Sequence, residues 1–242
     1  MATSTYLDLD EKGKSVYESR YKGMIGSLIY FTISRPNIML SVFLWTRYQA
    51  NLKESHLIVS KRIIKYLKGT TKVGFWYPKG TSLSLIGFLD FDFVGCKLHR
   101  KSTSGTCHLL RSLLVSWNCK KQTCVALSTA KAKYITNGSC YAQSLWMKQQ
   151  LEEIGITLDL IPLKCGNTSA INLSKNPVMH YRTKHIEIRH HFLRNHVSKG
   201  DYCIEFVDSE YQLVDIFTKP LARDRFFFIR NELGILDGSI IE

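Results

Sequence analysis

Apolar positions in the first seventy residues recur at helical spacing. One such run extends from Tyr21 to Ser34 and is stopped by Pro36, because the residue before a proline avoids helical geometry. A second covers Ile38 to about Tyr48. A third spans Glu54 to Lys68, with Leu57, Ile64 and Leu67 on one side and Lys61, Arg62, Lys65 and Lys68 on another. After Gly69 the period changes. Leu83 to Asp90 alternates and is rich in strand formers, and Gly105–Leu110 and Leu113–Trp117 predict two more strands joined by a tight turn. Leu127 to about Ile154 predicts one long helix, with Gly155 as its stop. Ile161–Cys165 predicts a strand, and Asn167 suits the N-cap of a helix through Ala170, Ile171 and Leu173. Thr183–Val197 predicts an amphipathic helix and Tyr202–Val207 a last strand. Gln212–Phe217 and Arg223–Leu233 predict short helices.

This order predicts an α/β fold. Three strands in an antiparallel meander, followed by strand–helix crossovers, give a mixed five-stranded sheet with helices on its faces. A small helical unit precedes it, and the change of pattern places the boundary between Gly69 and Ser82. Residues 1–20, polar and acidic at the start, are expected to be a flexible lead-in without the core of a signal peptide.

Charge adds a partner class. The chain carries 33 Lys and Arg against 20 Asp and Glu, a formal +13, and this balance points to polyanions, above all nucleic acid. Seven Cys without a CxxC pair argue for free thiols in a reducing, intracellular compartment rather than a zinc site or disulfide framework. The longest apolar stretch, Met24 to Ile33, is too short to span a bilayer, so no membrane association is expected.

Several strings are specific. They are Arg20-Tyr21-Lys22-Gly23-Met24-Ile25-Gly26-Ser27-Leu28, Ser34-Arg35-Pro36-Asn37-Ile38 and Arg62-Ile63-Ile64-Lys65-Tyr66-Leu67-Lys68-Gly69-Thr70. Further on come Arg100-Lys101-Ser102-Thr103-Ser104-Gly105, Arg182-Thr183-Lys184-His185-Ile186-Glu187-Ile188-Arg189-His190 and Asp215-Ile216-Phe217-Thr218-Lys219-Pro220-Leu221. In content and order they resemble the C-terminal end of copia-type retrotransposon Pol polyproteins. The resemblance implies a helical remnant of the reverse transcriptase over residues 21–80 and a ribonuclease H-like domain over 83–235. It also implies an enzyme that cuts the RNA strand of RNA–DNA hybrids with two Mg²⁺ ions held by converging carboxylates.

The family's ligand set is Asp, Glu, Asp, Asp. The first corresponds to Asp90 in Leu89-Asp90-Phe91-Asp92 and is retained; Asp92, two residues on, shares its face but lies further along. The Glu position reads Ser128-Thr129-Ala130-Lys131-Ala132-Lys133-Tyr134, so Lys133 replaces the acid. The third reads Cys165-Gly166-Asn167-Thr168-Ser169-Ala170-Ile171, so Gly166 replaces an Asp. The fourth, Asp215, is retained. The resemblance thus implies a degenerate site with vestigial ligands Asp90 and Asp215, no bound metal in this copy, and a Lys133 ammonium that repels Mg²⁺ and pairs with Asp90 or Asp215. Glu to Lys, Asp to Asn and Asp to Gly each need one base transition. Asn37 and Asn195 also stand where the family commonly has Asp, a pattern expected of a decaying genomic copy.

Phosphate contacts are expected from Arg100 and Lys101 after the first strand and from Lys120 and Lys121 before the long helix. Asn167 is placed with them. His180, His185, His190, His191 and His196 are spaced mostly by five residues, which suits a polar helix face better than a metal site. Ser116 and Ser128 lack a hydrolase nucleophile's context. Three readings stay open: a nucleic-acid-binding module without catalysis, an active nuclease using Asp90, Asp215 and a third ligand, and a non-functional fragment.

Overall fold

The computed structural model describes residues 10–79, 83–96, 101–122, 129–158, 160–166, 168, 171 and 202–240. Helix α1 (Glu18–Phe31), α2 (Met39–Trp45) and α3 (Glu54–Lys68) come first. Strand β1 (Val73–Phe75) leads into the main sheet strands β2 (Leu85–Cys96), β3 (Lys101–Leu110) and β4 (Leu113–Lys121). The long helix α4 (Thr129–Glu153), strands β5 (Ile161–Cys165) and β6 (Tyr202–Phe206), helices α5 (Asp215–Thr218) and α6 (Arg223–Glu232), and strand β7 (Ile235–Asp237) complete the order. The expected helices at Thr183–Val197 and after Asn167 fall largely outside the described residues.

The main sheet has the order β4-β3-β2-β5-β6. β2, β3 and β4 are antiparallel, whereas β2–β5 and β5–β6 are parallel. This is the mixed five-stranded α/β sheet that the strand order predicts. Period-two alternation splits its side chains between two cores. Leu85, Leu89, Leu163 and Ile204 face α4, where Cys140, Tyr141 and Met147 cover them. Phe88, Cys107, Leu109 and Leu114 face the other way, against α2, α5 and α6.

The helical unit has its own core of Tyr21, Ile25, Leu28, Val42, Trp45 and Ile63. It does not stand apart from the sheet. Leu40 and Leu44, on the opposite side of α2 from Val42 and Trp45, join the sheet core. Each buried leucine contributes roughly 1.5–3 kcal/mol through removal of apolar surface from water. Trp117 Nε1 donates to the Thr32 carbonyl at 3.1 Å, and the Arg35 guanidinium donates to the Val73 and Thr70 carbonyls. β1 and β7, two strands too short for a periodic signal, pair antiparallel from Val73–Asp237 to Phe75–Ile235 and tie the end of the helical unit to the last strand. The lead-in is tied down in part: Ser15 bridges Lys53, and Asp10 Oδ2 accepts from Ser55 Oγ at 2.6 Å.

The α4 seam is more polar than its helical periodicity suggests. His108 Nε2 lies 3.1 Å from the Cys140 carbonyl and 3.0 Å from Ser144 Oγ, and burial lowers its pKa to about 4, so it sits neutral in the core. Ser104 Oγ and Thr136 Oγ1 are 2.7 Å apart, and Gln122 Nε2 donates to both Ser104 Oγ (2.8 Å) and the Ala132 carbonyl (2.9 Å). These bonds fix the first turns of α4 over the middle of β3.

Gly105 sets the approach on the opposite face. A Cβ there would lie 2.5 Å from Thr218 Cγ2 and 2.7 Å from Val214 Cγ1, so α5 is pressed directly onto the sheet where no side chain intervenes. Gly26, an exposed position inside α1, would meet nothing within 4 Å. Gly105→Ala is therefore expected to lower stability by about 1–3 kcal/mol through overpacking, and Gly26→Ala to raise it by roughly 0.5–1 kcal/mol through helix entropy. Urea unfolding of both variants checks this; a neutral Gly105→Ala would show that α5 is not held by close packing.

Candidate acidic edge of the sheet

The parallel pairing of β2 with β5 ends at Leu89–Cys165, whereas the antiparallel pairing with β3 runs on through Asp90–Gly105 and Asp92–Thr103. Asp90 is thus the first residue of β2 past the end of its parallel neighbour. The next residue after β5 is Gly166. The Gln212 amide fills this opening: Nε2 donates to the Leu89 carbonyl at 3.2 Å, and a Cβ on Gly166 would lie 3.4 Å from the same nitrogen. The Asp215 amide in turn donates to the Gln212 carbonyl at 3.4 Å. Arg225 holds the preceding loop by donating to the carbonyls of Glu210, Ser209 and Gln212.

Three carboxylates share this edge. Asp215 is buried, and Asp90 and Asp92 are half-buried. Thr218 Oγ1 donates to Asp90 Oδ2 at 2.9 Å. Lys219 Nζ lies 2.9 Å from Asp215 Oδ1 and 3.8 Å from Asp90 Oδ2. Burial pushes the Asp215 carboxyl up to about 6, and the Asp90 charge adds to this, while Lys219 and Arg225 oppose it. Asp92 is raised by burial and then by Asp90, against Lys219 and Arg47. Burial works against the Lys219 ammonium, but Asp215, Asp90 and Asp92 outweigh it and leave its pKa raised.

The structure brings Asp90, Gly166 and Asp215 together at one edge. Lys133 belongs to the second turn of α4, the part that Gln122 and Thr136 pin to β3, and its side chain lies outside the described residues. The ammonium seen between Asp90 and Asp215 is that of Lys219, which sequence reasoning left unassigned. A signal was available: Asp215 and Lys219 are four residues apart, the spacing that pairs charges on one helix face. Thr218, Gln212 and Gly105 also went unassigned.

The expected phosphate contacts divide. Arg100 and Asn167 lie outside the described residues. Lys101 opens β3 opposite Cys96. Lys120 is exposed opposite Ser104, whereas Lys121 is opposite Thr103, and strand alternation turns these two lysines to different faces. Asn37 is buried, and its Nδ2 donates to Tyr66 Oη at 2.7 Å. Among the described residues, no group of three or more His, Cys, Asp or Glu is placed to hold a metal ion, and no helix is long and apolar enough to cross a membrane.

Comparison with known proteins gives consistent relatives. The chain is 36% identical over 236 residues to the retrovirus-related Pol polyprotein from transposon RE1 of Arabidopsis thaliana, covering 97% of this chain and 16% of that protein. The corresponding polyprotein from Arabidopsis transposon RE2 is 35% identical, covering 98% of this chain and 16% of that protein. The one from tobacco transposon TNT 1-94 is 32% identical, covering 94% and 17%. The chain therefore spans about a sixth of the length of these relatives. Among solved structures, the N-terminal ribonuclease H domain of a Mycobacterium tuberculosis protein is similar with a TM-score of 0.42 at 10% identity, covering 62% of this chain and 98% of that chain. No family profile matches the chain.

The electrostatics set a pH dependence. A carboxyl whose folded pKa is raised binds its proton more tightly in the folded state, so stability falls as pH rises from the ordinary Asp range, about 4, through about 6 for Asp215. Lys219 stays charged across this window and limits the loss. In Lys219→Met the carboxylates lose that counter-charge, and the melting temperature is expected to drop more at pH 8 than at pH 5. Equal drops at both pH values would mean that the ammonium does not balance the acidic edge.

Proposed function

Because this chain belongs to the copia-type Pol polyproteins of transposons, we propose that it is a ribonuclease H-like module that binds RNA–DNA hybrid or related nucleic acid and has lost metal-dependent cleavage. The observation that carries the reading is that only Asp90 and Asp215 of the four-acid set remain at this edge, with Gly166 at the third ligand position and Lys133 at the second.

Two Mg²⁺ ions need several converging oxygen ligands. Here two positions of the set offer no side-chain oxygen, which leaves Asp90 and Asp215 as its carboxylates. The residues present do not fit a two-metal cluster, so no catalytic step is assigned to them. Binding does not need the metal. The formal +13 and the cations on strands β3 and β4 support attraction to phosphates, with counterion release as the driving force.

The fit of the missing acids supports the loss as a matter of side chains rather than fold. A Cβ at Gly166 meets the Gln212 amide at 3.4 Å and the Val207 carbonyl at 3.6 Å, which are ordinary contacts. The Cβ of an Asp therefore has room there, beside the Gln212 amide.

Incubation with a labelled RNA–DNA hybrid and Mg²⁺ or Mn²⁺ is expected to give binding that weakens steeply with salt and no cleavage. The double variant Lys133→Glu, Gly166→Asp is expected to melt lower than the parent without metal, through like-charge repulsion, and to be stabilised by Mg²⁺ as a ligand of the folded state. The parent's melting temperature is expected to be nearly independent of Mg²⁺. Cleavage by the parent that Asp90→Asn abolishes would overturn the loss of activity, and a flat salt dependence would remove the nucleic-acid reading.

A further inference from the structure

Arg47 occupies the turn Thr46–Tyr48 that follows α2. Leu40 and Leu44 anchor α2 in the sheet core, so the backbone of Arg47 is fixed relative to β3 and β4. Its guanidinium reaches across to Thr103, with Nη2 3.4 Å from Oγ1, while Nη1 has no hydrogen-bond partner among the described residues. Among the described residues, no carboxylate lies within ion-pair distance of Arg47, although Asp92 is near enough to feel its charge. Thr103 is paired in register with Lys121, so the Lys121 side chain leaves the sheet on the same face. A cavity of about 230 Å³ opens beside them, lined by Arg47, Lys121 and Thr46 around a floor of Leu44, Phe43 and Cys119.

The chemistry of this notch selects for an oxyanion. Two cations, Arg47 and Lys121, line it beside an apolar floor, where weak dielectric screening strengthens charge interactions. The guanidinium fork matches two oxygens of one phosphate. The volume is below that of pockets for drug-sized ligands, roughly 300–1,000 Å³. It exceeds several water volumes of about 30 Å³ each, which suits a phosphate group rather than a nucleoside.

We infer that the notch is a phosphate-binding subsite, built jointly by Arg47 of the helical unit and Lys121 of the sheet, which takes a backbone phosphodiester of a nucleic acid strand lying along the acidic edge. This rests on the nucleic-acid reading above. Its place follows from register: Thr103 is opposite Asp92, two residues along β2 from Asp90. The helical unit thus supplies a binding group to the sheet as well as packing.

Two measurements on the full chain test the subsite. Nitrogen NMR of the arginine Nε signals, with that of Arg47 identified by its loss in Arg47→Lys, follows titration with inorganic phosphate. Fluorescence anisotropy follows a labelled RNA–DNA hybrid over a salt series. Phosphate is expected to shift the Arg47 signal. Arg47→Ala is expected to weaken hybrid binding roughly tenfold at low salt and to reduce the slope of log affinity against log salt by about 0.9, the equivalent of one phosphate. Arg47→Lys is expected to keep the slope and lose part of the affinity, and it carries the test if Arg47→Ala fails to fold. An unmoved Arg47 signal together with parent-like binding by both variants would overturn the subsite. A phosphate-induced shift in a parent that binds no hybrid would keep the anion subsite and remove the nucleic-acid reading. Displacement by an acidic peptide but not by phosphate would also overturn it, in favour of a protein carboxylate partner.

Discussion

The close approach of α5 to the sheet at Gly105 is the constraint on which the acidic edge depends. Asp215 opens this short helix and Lys219 directly follows it, but Asp90 is on a strand more than a hundred residues earlier. They meet because Val214, Phe217 and Thr218 occupy the space that a side chain at position 105 would fill. A short helix has little intrinsic stability, so its position comes from this packing and from the burial of Ile216 and Phe217. Gly87 has the same role on the opposite face, where a Cβ would lie 2.5 Å from Leu163 and 3.3 Å from the Cys140 thiol.

Once α5 is in place, the electrostatics of the edge follow from competition. Burial raises Asp215 and Asp92, and mutual repulsion with Asp90 adds to both. Lys219 meets this charge from within the protein, half exposed, with its own burial penalty outweighed by three carboxylates. Like the Thr218–Asp90 hydrogen bond, this contact ties α5 to β2 without any external ligand.

The helical unit is a second consequence of packing across elements. α2 carries apolar residues on two sides, one for its own bundle and one for the sheet, so residues 10–79 and the sheet bury surface against each other. That shared core brings Arg47 beside Thr103 and Lys121, a juxtaposition that neither segment's pattern contains.

Most elements were legible in the chain because apolar periodicity is a local property. α3 has the expected bounds, β5 matches Ile161–Cys165, and the change from a period near four to a period of two marks the start of the sheet. The family strings likewise identified the relatives and pointed to Asp90, Gly166 and Asp215. The sequence could not show β1 and β7, whose three residues each carry no period and pair only because the fold brings their ends together. Nor could it show how far β2 extends, since Asp92 gains its place from pairing with Thr103 rather than from propensity. Local pattern determined which residues form helices and strands. Only the tertiary structure decided that Lys219 balances Asp90 and Asp215 and that Arg47 reaches the sheet, because charge pairing and close packing depend on distances between segments far apart along the chain.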